Sequence, residues 1–220
     1  VDFPLKLEFY MATKKTAWAP FPAPSKAFQF NAAGLQKAWK QLHSGDAEPF
    51  PDAKRAEQLI KAAGKSAPKG ISAEAMADAL QAAWRAFHAG EFEQAFILGT
   101  ALGPIGTSVA AKALGIHATY LVKNADDRLA RFEQAAQMAE QAVAALPKEA
   151  NSHYRRAFGY GRYGQGISIA KALSTGLAGK IKTALDACLK LEPKHAEAHL
   201  ASALWHAEII NKVGGTLAGL

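Results

Sequence analysis

From Asn31 onward, apolar residues recur along the chain at steps of three and four, with Ala, Leu, Gln, Lys and Glu dominating the composition. This period is that of one face of an α-helix, and these residue types favour helices. The stretch APKGIS (67–72) interrupts the pattern, and Ser72 is typical of a residue that caps the start of the next helix. No alternating, β-branched run indicates a strand. The pattern therefore predicts an all-α chain.

The first 31 residues follow a different pattern. Pro20, Pro22 and Pro24 stand at alternate positions, which excludes a helix interior and favours an extended arm. The arm is too apolar for a free tail, and we expect four aromatic side chains to pack it onto the domain: Trp18, Phe21, Phe28 and Phe30. The predicted organisation is an extended arm over 1–31 and a helical domain over 32–220.

Two stretches of the chain echo each other, ALPKEANSHY (145–154) and LEPKHAEAHL (191–200). Each ends one helix at a proline, adds two polar residues and starts another helix with Ala. A recurring proline of this kind is typical of helix-hairpin repeats. Taking Pro147 as the closing proline places Ala150 at the start of a repeat, and the stretch then resembles the tetratricopeptide repeat (TPR).

The TPR resemblance is clearest over residues 71–210 and implies a right-handed superhelical array of helix hairpins. The repeats are longer than the usual period of about 34 residues. In this lengthened form the chain is similar to two TPR groups. One is the regulator-of-microtubule-dynamics-like group, and the other comprises periplasmic proteins associated with TRAP transporters, whose members bind apolar small ligands.

The stretch AFGYGRYGQG contains the pattern G-x-G-x-x-G at Gly159, Gly161 and Gly164. In a dinucleotide-binding loop this pattern follows a strand, whereas here it follows the helical segment NSHYRRAF. We interpret it as the end of a helix running into its turn, with Gly164 on that turn. No nucleotide cofactor is expected.

Other candidate chemistry is weak. His195 and His199 are four residues apart, which on a helix could hold a metal ion, but HAEAH is not H-E-x-x-H, and two exposed histidines at a helix start explain the pattern. The stretch GLAGKIKT (176–183) fails the spacing of a Walker loop. Cys188, the single cysteine, falls on a small-residue position and is interpreted as buried filler. We therefore expect a non-enzymatic protein without metal or cofactor.

The net charge of +7 is concentrated at both ends of a slightly acidic middle, and the lysines are spaced like a solvated helix face, so nucleic acid is not expected as a partner. No apolar run is long enough to span a membrane. The first ten residues do not resemble a signal peptide, although Met11 could be the biological start. We expect a cytoplasmic protein, or a periplasmic one if a signal was removed before Val1.

The TPR resemblance implies that the inner face of each first helix lines a concave groove. The candidate groove residues for a partner or ligand are Trp84, Phe87, Lys112, Tyr154, Arg155, Phe158, Arg162 and Leu204. Arg155, Phe158 and Arg162 share one helical stripe, which suits a carboxylate-bearing segment. In the alternative, both arginines face solvent and Phe158 packs under the next helix. Lys112 and Arg155 also match two positions of the carboxylate clamp of co-chaperone TPRs, but its asparagines are absent.

The favoured function is a protein-interaction scaffold that binds a peptide or protein partner in this groove. The alternative is a binding protein for an apolar small molecule, which an enclosed apolar cavity of roughly 300 Å³ or more would favour. The last helix lacks a closing helix, so we expect Leu204, Ile209 and Ile210 to contact one of three things. These are a second copy, forming a homodimer through the C-terminal end, the arm, or residues beyond Leu220.

Overall fold

The structure of the protein, a computed structural model, describes residues 18–23 and 25–214. Expectations for Val1 and Met11, and for residues beyond Gly214, lie outside the described residues. Ten α-helices and three short 3-10 turns form the described part, and no strand occurs in it, which confirms the all-α prediction. The helices are α1 Ala32–Leu42, α2 Ala53–Ala63, α3 Ala73–His88, α4 Phe92–Ala101, α5 Thr107–Tyr120, α6 Ala125–Ala145, α7 Ala150–Gln165, α8 Ile169–Ser174, α9 Leu177–Leu191 and α10 Ala196–Val213.

Helix starts follow the local sequence closely. The Ser72 Oγ accepts the N–H of Ala75 at 3.2 Å, which confirms the predicted cap of α3. Asn31, Asp52 and Asn124 cap α1, α2 and α6 in the same way. Helices α7 and α10 begin at the two alanines that follow the echoed prolines, as predicted. The starts of α1, α2, α3 and α6 are therefore fixed by a side chain that accepts a hydrogen bond within the first turn.

From α2 to α7 each helix packs on the next along the chain, and α9 packs on α7, α8 and α10. In addition, α5 packs on both α3 and α7, and α7 contacts α10. We call α3, α5, α7 and α10 the inner helices. Because they follow one another side by side, one face of each is turned to a common surface of the array.

All three glycines of the G-x-G-x-x-G pattern lie inside α7, so the stretch is helical as predicted. The helix continues to Gln165, and Gly164 is therefore still in the helix, not on the turn as expected. A Cβ at Gly159 would lie 2.7 Å from the backbone nitrogen of Ala136 in α6. Gly159 is there because α6 and α7 pack too closely for any side chain.

The described part of the arm is held by aromatic contacts, as its apolar character predicts. The Trp18 ring lies 4.5 Å from the His117 ring and 4.4 Å from the guanidinium carbon of Arg131. Phe21 fills the space above Gly90, where a Cβ would come within 2.4 Å of the ring. The arm thus covers α3 to α6 and does not reach α10 through these contacts.

Candidate functional site

The connection between α1 and α2, residues 43–52, runs into the surface shared by the inner helices, and we call it the inner loop. Its backbone carbonyls accept hydrogen bonds from surrounding helices. The Glu197 N–H donates to Gly45 O at 2.9 Å, and Asn151 Nδ2 donates to Asp46 O at 2.8 Å. Trp39 Nε1 donates to Glu48 O at 2.6 Å, and Gln81 Nε2 donates to Pro51 O at 3.0 Å. The array therefore holds this segment much as a receptor holds a peptide.

The centre of the inner loop is the carboxylate of Asp46, whose side chain is 0% exposed. Its Oδ2 lies 2.5 Å from Lys112 Nζ of α5 and 2.5 Å from Arg155 Nη2 of α7. Its Oδ1 lies 2.9 Å from His43 Nδ1. One buried carboxylate thus joins two adjacent inner helices to the loop.

The charges of this cluster are mutually dependent. Burial alone would raise the pKa of Asp46, but the hydrogen bond from His43 and the charges of Arg155 and Lys112 hold it well below its usual range. Burial lowers the pKa of Lys112, and the nearby Asp46 opposes that shift. The carboxylate is therefore ionised throughout the neutral range, and the two cations beside it need it as their counter-charge.

Two neutral imidazoles complete this side of the cluster. Burial lowers the pKa of His43. Burial also lowers the pKa of His88, and repulsion from His43 adds to this effect, so that the pKa of His88 falls to about 3. The Nε2 atoms of the two rings are 3.2 Å apart. Since His43 donates its Nδ1–H to Asp46, its Nε2 is the acceptor and His88 Nε2–H the donor.

A second polar chain links α7 to α10. His195 is 0% exposed; its Nδ1 accepts the Ala198 N–H at 3.0 Å, so its Nε2–H donates to Asn151 Oδ1 at 3.1 Å. The expectation of two exposed histidines is therefore wrong for His195, which is a buried helix cap, while His199 is exposed. Among the described residues, no group of three or more His, Cys, Asp or Glu side chains could hold a metal ion.

Asn151 is a third side chain of the inner helices that holds Asp46. From the sequence, no asparagine is expected to accompany Lys112 and Arg155. In the structure, Asn151 donates to the backbone carbonyl of Asp46 beside these two cations. Lys112, Arg155 and Asn151 thus all contact the chain's own Asp46.

Glu48 is a half-buried carboxyl group at the edge of the cluster. Burial, followed by repulsion from Asp46, raises the pKa of Glu48 to about 7. Ser108 Oγ donates to Glu48 Oε2 at 2.5 Å. The adjoining cavity of about 20 Å³ has room for a single water molecule. Glu48 is therefore the carboxyl group of the loop that changes charge near neutral pH.

Beyond the inner loop, α5 and α7 continue side by side in matching register. One turn past the two cations that hold Asp46, Gly115 of α5 faces Phe158 of α7, whose ring would lie 2.5 Å from a Cβ at Gly115. A further turn places Thr119 level with Arg162. No inner-loop residue hydrogen-bonds to this part of either helix among the described residues.

Helix α10 joins in the same register. Arg155 Nη1 lies 3.7 Å from Glu197 Oε2, and Gln165 Nε2 donates to Glu208 Oε1 at 3.1 Å, so α7 and α10 run in the same direction. The residues of α10 level with Phe158 and Arg162 are therefore Leu200 and Leu204. We call the surface formed by these side chains the open groove, and its members are Thr119, Phe158, Arg162, Leu200 and Leu204.

The open groove combines exposed apolar area with one cation. Leu200 and Leu204 are 64% and 58% exposed, while Phe158 and Arg162 are half-buried. The guanidinium carbon of Arg162 lies 5.6 Å from the Phe158 ring centroid, and its Nη1 reaches Gln165 Oε1 at 3.5 Å. No carboxylate of the described residues forms an ion pair with Arg162.

The predicted groove residues divide between these two surfaces. Lys112 and Arg155 meet on Asp46, and Arg155, at 3% exposed, does not face solvent. The residues packed around these cations are Tyr154, Trp84 and Phe87. Those in the open groove are Phe158, Arg162 and Leu204. Their role in binding a partner stays a prediction.

Sequence reasoning missed the inner loop altogether. Asp46 and Glu48 lie in a connection with no motif, so no local pattern marks them as buried. The one available signal was the predicted position of Lys112 and Arg155 on the inner face, since cations in such a place need a counter-charge.

Comparison of the chain with protein-family models, with curated proteins and with solved structures finds no match. None of the described helices is long and apolar enough to cross a lipid bilayer. A cavity of about 540 Å³ lies between α2 and the start of α3, away from the inner helices' shared surface, and charged residues Lys54, Glu57 and Glu74 help to line it.

Proposed function

We propose that the protein is a non-enzymatic helical-repeat scaffold of the TPR type, which binds a segment of a protein or peptide partner in the open groove. The observation that carries this proposal is the matched register of α5, α7 and α10. At one end these helices already hold a chain segment, the inner loop, through side chains on their inner faces. The open groove is the continuation of the same faces.

The chemistry of the open groove fits binding of a segment. Leu200, Leu204 and Phe158 supply apolar area that a partner can cover, and Arg162 supplies a directional charge at its centre. The ionised carboxylate of Asp46 is shielded from solvent and paired with two cations. Such a group supports loop attachment better than catalysis, because a substrate cannot reach it.

The alternative, a binding protein for an apolar small molecule, calls for an enclosed apolar cavity. The cavity of about 540 Å³ is bordered by Lys54, Glu57 and Glu74, all exposed, and so lacks that character. The open groove instead presents Leu200 and Leu204 directly to solvent, where a peptide segment can cover them. We therefore favour the scaffold.

The proposal is tested by selecting random peptides, with no imposed helical pattern, on the full chain. Counter-selection uses the Leu204→Glu variant, which places a charge in the open groove. Ile97→Glu is the matched control, since Ile97 is 52% exposed but lies on α4. We expect selected peptides that bind the parent chain and Ile97→Glu equally and lose about tenfold or more affinity for Leu204→Glu.

Two outcomes would remove the proposal. One is a selection that yields no binder above background. The other is a set of binders that ignore Leu204→Glu and map elsewhere, for example to the cavity beside α2.

A further inference from the structure

The exposed face of α10 is an apolar stripe. Leu200, Leu204 and Ile210 are 64%, 58% and 54% exposed, and Ala203 and Ala207 lie between them. At about 1.5 Å per residue the stripe is about 15 Å long. Steps of three and four residues make such a stripe a ridge onto which another helix packs.

The neighbouring inner helices show what covers such a face elsewhere in the array. In the row of inner helices, α7 packs beside α5, and α10 packs beside α7. Helix α10 itself approaches α7 through two carboxylate-bearing side chains, Glu197 toward Arg155 and Glu208 toward Gln165. Within the described residues nothing follows α10 in the same way.

The charges around the stripe decide which occupant fits. Both acids of α10, Glu197 and Glu208, turn toward α7, and none of its exposed residues is acidic. Arg162 borders the stripe on the groove side and forms no ion pair within the described part of the chain, and His199 and His206 are exposed on the opposite border. A second copy would bring an identical face and therefore no carboxylate for Arg162.

We propose that the partner segment in the open groove is an acidic amphipathic helix. Its apolar face covers the stripe of α10, and one of its carboxylates pairs with Arg162. This inference rests on the proposed function and specifies the partner's chemistry. A helix can reach the half-buried Arg162 and Phe158 below Leu204, whereas a flat lipid surface would rest on the leucines. A guanidinium partly removed from water also gains more from a carboxylate than an exposed one does.

The test is a display library of helical peptides of about four turns, selected on the full chain. One face of each peptide is fixed as Leu and Ala, and the flanking positions vary among Glu, Lys and Gln. We expect Glu to be enriched over Lys, and the best acidic peptide to bind about tenfold more tightly than its Gln counterpart.

Three variants locate the contacts. Leu204→Glu should abolish binding of the acidic peptide, while Ile97→Glu should leave it unchanged. Arg162→Gln should lower affinity for the acidic peptide about tenfold and leave affinity for its Gln counterpart unaltered. That last difference separates a charge pair from a general disturbance of the groove.

Other occupants give other results, each of which overturns the inference. A dimer in solution that Leu204→Glu dissociates would assign the stripe to a second copy. Co-sedimentation with vesicles of mixed neutral and anionic phospholipid, lost in Leu204→Glu, would assign it to a membrane. Enrichment of Lys, no charge preference or no helical binder would also exclude an acidic helix, while the random-peptide selection reports separately on the scaffold function.

Discussion

The inner loop and the open groove occupy the same faces of the same helices, yet their chemistry is opposite. At the covered end, Lys112 and Arg155 meet a carboxylate that is fully buried. At the open end, one or two helical turns further along, Leu200 and Leu204 are exposed near Arg162, which forms no ion pair with a carboxylate of the described residues. The covered end is charged and closed, and the open end is apolar and accessible.

The difference bears on where we propose that a partner binds. A buried charge is tolerated only when an opposite charge is buried beside it, and at the covered end Asp46, Lys112 and Arg155 of one chain supply each other's counter-charges. At the open end, by contrast, the exposed leucines and the guanidinium of Arg162 form an accessible surface of the kind that marks an interaction site. The covered end thus shows how these helices hold a segment, and the open end is where we propose that a second segment binds.

The largest effect should come from removing the counter-charge at the covered end. Asp46→Ala leaves Lys112 and Arg155 buried without it and should cost about 3–5 kcal/mol of unfolding free energy. Urea unfolding followed by circular dichroism measures this. The control Asp186→Ala breaks the exposed pair with Lys182 and should cost less than about 0.5 kcal/mol. A loss under about 1 kcal/mol for Asp46→Ala would mean that Asp46 does not pair with Lys112 and Arg155 in solution.

A change on the back of α7 should disturb both ends alike. Gly159→Ala places a Cβ within 3 Å of Ala136 and should cost about 1–3 kcal/mol by pushing α6 and α7 apart. At Gly161 no atom lies within 4 Å of a Cβ, so Gly161→Ala should stabilise the helix by about 0.5–1 kcal/mol. Equal effects of the two substitutions in thermal unfolding would show that close packing of α6 and α7 does not require Gly159.

The covered end should also respond to pH through Glu48. Its pKa rises from 4.5 to about 7 on folding, so the folded chain holds a proton that the unfolded chain releases. Its contribution to stability therefore falls as pH rises from about 4.5 to about 7. Glu48→Gln should stabilise the chain by roughly 1–2 kcal/mol at pH 8 and by much less at pH 5. Unfolding free energies of the variant and the parent at both pH values give the difference, and a gain that is the same at both would contradict the assignment.

The smallest effect on stability should come from the open end. Leu204 is 58% exposed, and Leu204→Gln should change the unfolding free energy by less than about 0.5 kcal/mol. Leu185, at 2% exposed on α9, is the contrasting position, where Leu185→Ala should cost about 2–5 kcal/mol. If Leu204→Gln costs more than about 1 kcal/mol, and the cost depends on protein concentration, the groove is covered by another copy in solution.

Local sequence was sufficient for much of the fold. The cap at Ser72, the helix starts after the two echoed prolines and the helical character of the glycine stretch all depend on residues within about a turn of one another, and the structure has each of them. Gly164 was misplaced because helix α7 continues past the glycines to Gln165. Close packing against Ala136 and Leu177 compensates for the entropy cost of Gly159 and Gly164, whereas Gly161 has no such neighbour.

What the sequence by itself determined is the all-α class and the starts of α3, α7 and α10, because helical periodicity and capping are local. Only the tertiary structure decided that Arg155 is buried and that Asp46 meets Lys112 and Arg155, because residues this far apart are brought together by packing, not by any spacing along the chain. The same holds for the matched register of α7 and α10, which places Leu200 and Leu204 beside Phe158 and Arg162. The charge at one end of the groove and the apolar surface at the other are therefore consequences of which helices become neighbours.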